Sequence, residues 1–169
     1  MRPPHFVWSQ SIAEQAAAAF LQHERRIHAR LPDAQIRHTG GSSVLGVLTS
    51  GDIDLQVRID RGSFAAARDT LHELYEPLYP DRWHDDAAYF AARDVDPPVE
   101  VALTVIGTLD DLHHGAVWDQ IAADRRLIDE YNALKRAHEG GSEAAYAAAK
   151  RDFFYKNFPP QAAPKARST

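Results

Sequence analysis

The segment Asp52–Asp60, DIDLQVRID, places the strongest constraint on the fold because its apolar and polar residues alternate without interruption. Successive side chains of a β-strand point to opposite faces, so this period predicts a strand with one buried face. The apolar positions are Ile53, Leu55, Val57 and Ile59, and the polar positions are Asp52, Asp54, Gln56 and Arg58. This segment therefore predicts a sheet with one face buried in the core and the other face exposed to solvent or part of a functional site.

A second alternating segment is Val99–Gly107, VEVALTVIG. Its apolar positions are Val99, Val101, Leu103 and Val105, while Glu100 and Thr104 lie on the opposite face. The remaining elements are predicted as a helix from Ser9 or Ser11 to about Leu31, a strand in AQIRHT, a helix after Ser63, a strand in AAYFAARD, and helices over 116–138 and 142–158. This order predicts an α+β fold, with a small mixed β-sheet flanked by helices and C-terminal helices.

Length and composition exclude several classes of protein. The 169 residues suit one domain over residues 1–158, followed by a Pro- and Ala-rich segment over residues 159–169 that we expect to be disordered. The net charge of −5 gives no strong signal for nucleic acid or an anionic membrane. With no cysteine, no apolar leader and no long apolar run, we expect a cytoplasmic protein without a membrane partner.

Three carboxylates form the candidate catalytic and metal site. Asp52 and Asp54 project from the same face of their strand, about 6.6 Å apart along its axis. If the second alternating strand is a neighbour, Glu100 joins them. Such a cluster repels itself unless a cation neutralises it, and Mg²⁺ or Mn²⁺ suits oxygen ligands. The competing interpretation is an ordinary solvated strand face, with no metal.

A glycine–serine turn precedes the carboxylates. Gly40 and Gly41 permit close approach of the backbone, and Ser42 and Ser43 add hydroxyl groups that can hold phosphate oxygens. A loop that binds phosphate, next to carboxylates that bind a metal ion, is the arrangement used for phosphoryl or nucleotidyl transfer. His38 beside the turn is either a site residue or a packing residue, and His113–His114 is predicted to lie in an exposed loop.

These residues resemble the nucleotidyltransferase superfamily, whose pattern is a glycine pair, a short spacer, Asp-x-Asp, and an acid on a later strand. Gly40-Gly41, ten intervening residues, Asp52-Ile53-Asp54 and Glu100 match this pattern. The segment HTGGSSVLGV is more specifically similar to the motif His-x-Gly-Ser-Thr-Ser-Val-Pro-Gly-Leu of the GrpB-like family. The GrpB-like family also has two helices that each contain Tyr-x-x-x-Lys. In this sequence they correspond to Tyr131-x-x-x-Lys135 and Tyr146-x-x-x-Lys150.

The resemblance implies a nucleotidyltransferase-like fold and a nucleoside triphosphate as a partner. It adds Lys135 and Lys150 as candidate nucleotide-binding residues, because lysines of the final helices can reach a triphosphate. The chain departs from the family where Leu45 replaces proline and Ser50-Gly51 replaces Lys-Pro. Two arginines of the family's Phe-Arg-Asp-Tyr-Leu-Arg segment are absent from the matching segment VWDQIA.

Two functions therefore stay open at the level of sequence. The first is a metal-dependent nucleotidyltransferase that uses Asp52, Asp54 and Glu100 to move a nucleotidyl group from a nucleoside triphosphate, such as ATP, to an unidentified acceptor. The second is a catalytically inactive nucleotide-binding or protein-interaction module of the same fold, which the missing arginines and Lys-Pro spacer favour. The acceptor, the preferred base and the oligomeric state do not follow from the residues.

Overall fold

A computed structural model describes residues 3–159 and contains a central five-stranded sheet with helices on both faces. The strands are β1 (Val7–Trp8), β2 (Gln35–Thr39), β3 (Leu48–Thr49), β4 (Ile53–Ile59), β5 (Glu76–Leu78), β6 (Ala87–Ala92) and β7 (Val99–Val105). The α-helices are α1 (Ala13–His28), α2 (Phe64–Leu74), α3 (Leu109–His114), α4 (Ala116–Ala123), α5 (Arg125–His138) and α6 (Glu143–Asn157). Together they confirm the predicted α+β fold.

The sheet has the strand order β2–β4–β7–β6–β5. Only the central β4–β7 pair is parallel, and the outer pairs are antiparallel. In the parallel pair Asp54 lies opposite Glu100, so two acidic side chains of the same face meet at the strand starts. A separate two-stranded pair, β1 with β3, lies next to the glycine turn and was not predicted from the sequence.

The apolar face of the sheet forms the main core, as the alternation predicts. All the apolar positions of β4 and β7 are buried, and they pack with α1 and α2 through residues such as Ile27, Phe64 and Leu71. Burying side chains of this size stabilises the fold by about 1.5–3 kcal/mol each. The opposite face of the same strands is thereby left for polar groups.

The polar face is covered at one end by α3. Asp111 of α3 is 3% exposed, and its Oδ2 accepts a hydrogen bond of 2.8 Å from Nη2 of Arg58. Nε2 of Gln56 donates to the hydroxyl of Thr104 at 3.1 Å and to Oδ1 of Asp111 at 3.0 Å. These bonds dock α3 on the sheet and leave the Asp54 end of the strands uncovered by it.

A second apolar cluster holds the C-terminal helices together. Its buried members are Val44, Val47, Ile121, Leu127, Tyr131 and Phe153. Because Val44 and Val47 follow the glycine turn, this cluster fixes α5 and α6 next to that turn. Helices α5 and α6 therefore line the side of the cavity that faces the carboxylates.

The structure corrects two predicted elements. The sequence suggested one helix over 116–138, but the helix breaks at Asp124, where the backbone is extended. The Asp124 carboxylate caps the start of α5 by accepting a 2.9 Å bond from the N–H of Arg126. The pair His113–His114 was expected in an exposed loop and instead ends the helix α3, with His114 partly buried. Thr108 caps that helix by accepting a bond from the N–H of Asp111.

Over residues 3–159, no helix has the length and apolar content needed to cross a bilayer. The predicted tail over residues 159–169 lies, from residue 160 onward, outside the described residues.

Candidate active site

The structure brings the three predicted carboxylates together. Asp54 and Glu100 are paired in register across β4 and β7, and Asp52 precedes β4 by one residue. One ligand oxygen from each of the three lies within 4.8 Å of the others. The parallel pairing of the two alternating strands brings Glu100 next to Asp52 and Asp54, which lie far from it in the sequence.

The carboxylates repel each other in the metal-free protein. Burial, together with the charges of Asp52 and Glu100, raises the pKa of Asp54 well above its usual range, and Lys150 and Lys135 oppose the rise. Burial and then Asp52 raise the pKa of Glu100, against the opposing charges of Arg93 and Lys150. A hard divalent cation would relieve this repulsion, and three partly buried carboxylates are a suitable set of oxygen ligands for it.

Gly40 gives the turn its close approach to the carboxylates. It has φ of +74°, and a Cβ at this position would lie 2.7 Å from Cγ of Asp54. The next residue, Gly41, begins a short 3₁₀ turn over Gly41–Ser43, and a Cβ there would lie 3.5 Å from Nζ of Lys135. Glycine is therefore required at Gly40, where the backbone runs against Asp54, while Gly41 brings the turn within van der Waals range of Lys135.

The two serines of the turn face the protein, not the cavity. The Ser42 hydroxyl is 2.9 Å from Nε2 of His38, and the Ser43 hydroxyl donates a 2.7 Å bond to the carbonyl of Gly40. Neither serine is among the residues that line the cavity described below. His38 also stacks on Phe20, with ring centroids 5.6 Å apart, which gives it the packing role.

Lys135 and Lys150 reach the site from α5 and α6. Lys135 is only 3% exposed, and its Nζ lies 4.8 Å from the ring centroid of Tyr131 and 5.1 Å from that of Phe6. Burial, followed by the charge of Lys150, lowers the pKa of Lys135 to about 8. Nζ of Lys150 lies 5.5 Å from the ring centroid of Tyr146. Both cations are thus presented on aromatic rings beside the carboxylates.

Two contacts fix the helix that carries Lys135. Asn132, one turn earlier, accepts a 2.8 Å bond from the N–H of Leu48 and donates a 2.7 Å bond to the carbonyl of Gly46. At the end of α5, Glu139 accepts bonds from the His5 ring and from the N–H of Phe6. The lysine is therefore tied both to the segment after the glycine turn and to the N-terminal segment.

A cavity of about 670 Å³ joins these elements. Gly40, Gly41, Asp52, Asp54, Glu100, Lys135 and Lys150 all line it. Its lining also includes residues that the sequence did not indicate as site residues, namely Leu78, Tyr79, Arg82, Tyr89, Asp110, His114, Phe154 and Tyr155. No local motif marks them, because the pairing of β5 with β6 and of β6 with β7, together with the packing of α3 and α6, brings them to the site.

A second cluster of possible metal ligands lies near the N-terminal end of α3. His84, Asp86 and Asp110 each offer a ligand atom within 4.8 Å of the others. However, Asp86 is paired with Arg61 at 2.7 Å, and Nδ1 of His84 accepts a 3.3 Å bond from the N–H of Asp86. These contacts engage Asp86 and His84, and the carboxylate of Asp110 lies 3.5 Å from Nε2 of His84, so the cluster is explained without a metal ion.

Comparison with solved structures supports the fold. The chain is similar to the conserved protein GrpB from Enterococcus faecalis, with a TM-score of 0.63 and 15% identity over 85% of this chain and 94% of that chain. It is also similar to the Cid1 poly(U) polymerase in its MgGTP-bound form (TM-score 0.53, 15% identity, 73% of this chain) and its Mg 3′-dATP-bound form (0.53, 14%, 97%). The match spans 41% and 58% of the polymerase chain in the two forms.

No curated protein matches the chain by sequence. The family model of the GrpB protein, in contrast, matches residues 10–158, which include every element from α1 to α6. The similarity that the motif HTGGSSVLGV and the paired Tyr-x-x-x-Lys helices suggested is thereby confirmed. The chain belongs to the GrpB protein family.

Proposed function

We propose that the protein is a metal-dependent nucleotidyltransferase, which moves a nucleotidyl group from a nucleoside triphosphate to an acceptor hydroxyl. The observation that carries the proposal is the meeting of Asp52, Asp54 and Glu100 with Gly40 and two helix lysines in one cavity. The polymerase that shares the fold binds nucleotides together with magnesium, which supports the same class of ligand for this cavity.

Asp52, Asp54 and Glu100 are the residues that would hold Mg²⁺ or Mn²⁺. When bound, the ion supplies positive charge that neutralises the triphosphate and lowers the energy of the charged transition state. Gly40 and Gly41 let the phosphate chain approach the backbone of the turn. Lys135 and Lys150 bind the terminal phosphates, and they balance the charge that the pyrophosphate carries when it leaves.

The transfer forms a bond between the acceptor oxygen and the α-phosphorus, and it breaks the anhydride bond to the β-phosphorus. The acceptor proton passes to Glu100, since β7 lies between β4 and β6 and places Glu100 on the side of the cavity away from the glycine turn. Asp52 and Asp54 are the carboxylates that would hold the cation beside the reacting phosphate.

The test is transfer of label from α-³²P nucleoside triphosphates to small-molecule, protein and RNA acceptors, in the wild type and in Asp54→Ala. We expect Mg²⁺-dependent product with the wild type and none with the variant. Equal label transfer by the two proteins contradicts the proposal. Nucleotide binding by the wild type without transfer to any acceptor supports the non-catalytic module, which the protein-facing hydroxyls of Ser42 and Ser43 favour.

A further inference from the structure

One part of the cavity lies outside the residues to which the proposed function assigns the triphosphate and the cation. We name it the β6 compartment, and its residues are Leu78, Tyr79, Arg82, Tyr89, Asp110 and His114. Its floor is Ala102 of β7, which pairs with Gln56 on one side and Tyr89 on the other. Because Ala102 is on the same strand face as Glu100, the compartment opens directly beside the proposed proton acceptor.

The compartment contains a cation that is presented on an aromatic ring. The guanidinium carbon of Arg82 lies 4.6 Å from the ring centroid of Tyr79. Within residues 3–159, no carboxylate lies within ion-pair distance of Arg82, whereas Arg61 and Arg93 each have one. An arginine that is stacked but not paired with an acid is suited to bind a carboxylate or phosphate through its planar fork of donors.

The backbone around Arg82 holds this arrangement. Tyr79 has φ of +48°, in the left-handed region that a non-glycine residue rarely adopts. Its carbonyl accepts a 2.9 Å bond from the N–H of Arg82, and Pro80 starts the short 3₁₀ turn between them. The turn therefore presents the Tyr79 ring and the Arg82 side chain together at the edge of the cavity.

Three further polar side chains line the same compartment as Arg82, namely Tyr89, Asp110 and His114. The Tyr89 hydroxyl and Nε2 of His114 are 3.3 Å apart, and Oδ2 of Asp110 is 3.5 Å from Nε2 of His84. Burial and then the charge of Asp110 raise the pKa of Tyr89, and Arg82 opposes the rise, so the phenol stays neutral and within the field of both charges. A neutral phenol, an imidazole and a carboxylate together can donate to and accept from several hydroxyl groups.

We infer that the β6 compartment is the acceptor site, and that the acceptor is a small polyhydroxylated anion, either a sugar phosphate or a sugar acid. This inference rests on the proposed function. Arg82 binds the anionic group, while Tyr89, His114 and Asp110 bind hydroxyls. One hydroxyl is thereby directed along Ala102 toward Glu100, where its oxygen bonds to the α-phosphorus, its proton passes to Glu100, and pyrophosphate leaves.

The experiment uses the full chain with Mg²⁺ and α,β-methylene-ATP, an analogue that does not undergo transfer. Glycerol 3-phosphate, glycerate and neutral glycerol are titrated while the Nε–H NMR signal of Arg82 is followed, with the signal assigned from Arg82→Gln. We expect a saturable shift with at least one anion and none with glycerol. Loss of a charge-assisted contact predicts an affinity about tenfold weaker in Arg82→Gln. Arg68→Gln, on α2 and outside the cavity lining, serves as the control and retains wild-type affinity.

The results separate the two claims. A shift with the phosphate alone indicates a sugar phosphate, and a shift with the carboxylate alone indicates a sugar acid. Equal anion affinity in wild type and Arg82→Gln, displacement of the analogue by the anion, or no shift with either anion overturns the acceptor site and leaves the proposed function intact. Failure of the analogue to bind the wild type overturns the proposed function itself, whether or not anions shift Arg82.

Discussion

The backbone of Gly40 lies against the carboxyl group of Asp54, so closely that a Cβ on Gly40 would be 2.9 Å from Cβ of Asp54 and 2.7 Å from its Cγ. A real Cβ atom essentially never comes this close to another atom. The glycine turn and the acidic strand are thus in direct contact, and any change that separates them separates the proposed phosphate and metal sites.

Gly40→Ala should abolish this contact. The added methyl group must displace Asp54, and the Gly40 backbone (φ +74°, ψ −177°) lies in a region open essentially only to glycine, which adds a penalty of roughly 1–3 kcal/mol. Gly46→Ala is the control, because Gly46 has φ of +82° and no neighbour within 4 Å of an added Cβ. Thermal unfolding should show both variants destabilised, with only Gly40→Ala losing the Mn²⁺-induced rise in Tm. A normal Mn²⁺ response in Gly40→Ala contradicts the account.

The repulsion within the acidic cluster predicts opposite effects with and without metal. Asp52→Asn removes a charge that raises the pKa of both Asp54 and Glu100, so it should raise the Tm of the metal-free protein at pH 7. It also removes a ligand, so the gain in Tm on adding Mg²⁺ or Mn²⁺ should shrink. For a chain of this size, a change of about 1 kcal/mol shifts Tm by about 2–4 °C. Asp69→Asn, on the exposed side of α2, should change neither value.

The lowered pKa of Lys135 predicts how stability depends on pH. Its value of about 8 in the folded protein lies below the ordinary 10.5 of the unfolded chain, so the unfolded chain binds more protons between these two values. The free energy of unfolding therefore rises with pH through this window, and the penalty is fully present below pH 8. Lys135→Met should remove the rise and stabilise the protein at pH 7, by on the order of 1–3 kcal/mol.

The measurement is urea unfolding of wild type and Lys135→Met between pH 7 and pH 10. Lys156→Met is the control, because Lys156 is on the exposed side of α6. A pH dependence that is the same in the wild type and Lys135→Met excludes the buried lysine as its source. Calorimetry in two buffers should further show proton uptake when nucleotide binds near pH 8, because phosphate favours the charged lysine.

Asn132 should position Lys135 without touching the nucleotide. Asn132→Ala leaves the N–H of Leu48 and the carbonyl of Gly46 without their partner, which predicts a loss of about 1–3 kcal/mol in the free energy of unfolding. The Kd for an ATP analogue should also rise, because α5 is no longer tied to the turn. The exposed Gln120→Ala is the control. A lower Tm with an unchanged Kd assigns Asn132 a purely structural role.

The fold and the acids were predictable because their signals are local. Alternation in β4 and β7 follows from the two faces of a strand, and the burial of Ile53 and Val99 confirms it. The break at Asp124 was not predicted, although aspartate is a favoured N-cap residue and Asp124 caps α5.

The rest of the site depends on contacts between distant segments. The facing of Asp54 and Glu100 needs β7 to pair in parallel beside β4, which no local pattern specifies. Arg82 and Tyr89 reach the cavity through the β5–β6 hairpin, whose segment gave the weakest pattern in the sequence. Tertiary pairing, rather than propensity, decides where such side chains lie.

The acidic cluster and the lysines are proposed to form one site for a cation and a triphosphate. The direct measurement is a calorimetric titration of α,β-methylene-ATP into wild type and Asp54→Asn, each with Mg²⁺ and with EDTA. The account predicts binding that requires both Mg²⁺ and Asp54, with a Kd at least about tenfold weaker when either is removed. Binding of equal strength to Asp54→Asn in EDTA, or no binding to the wild type in Mg²⁺, would contradict it.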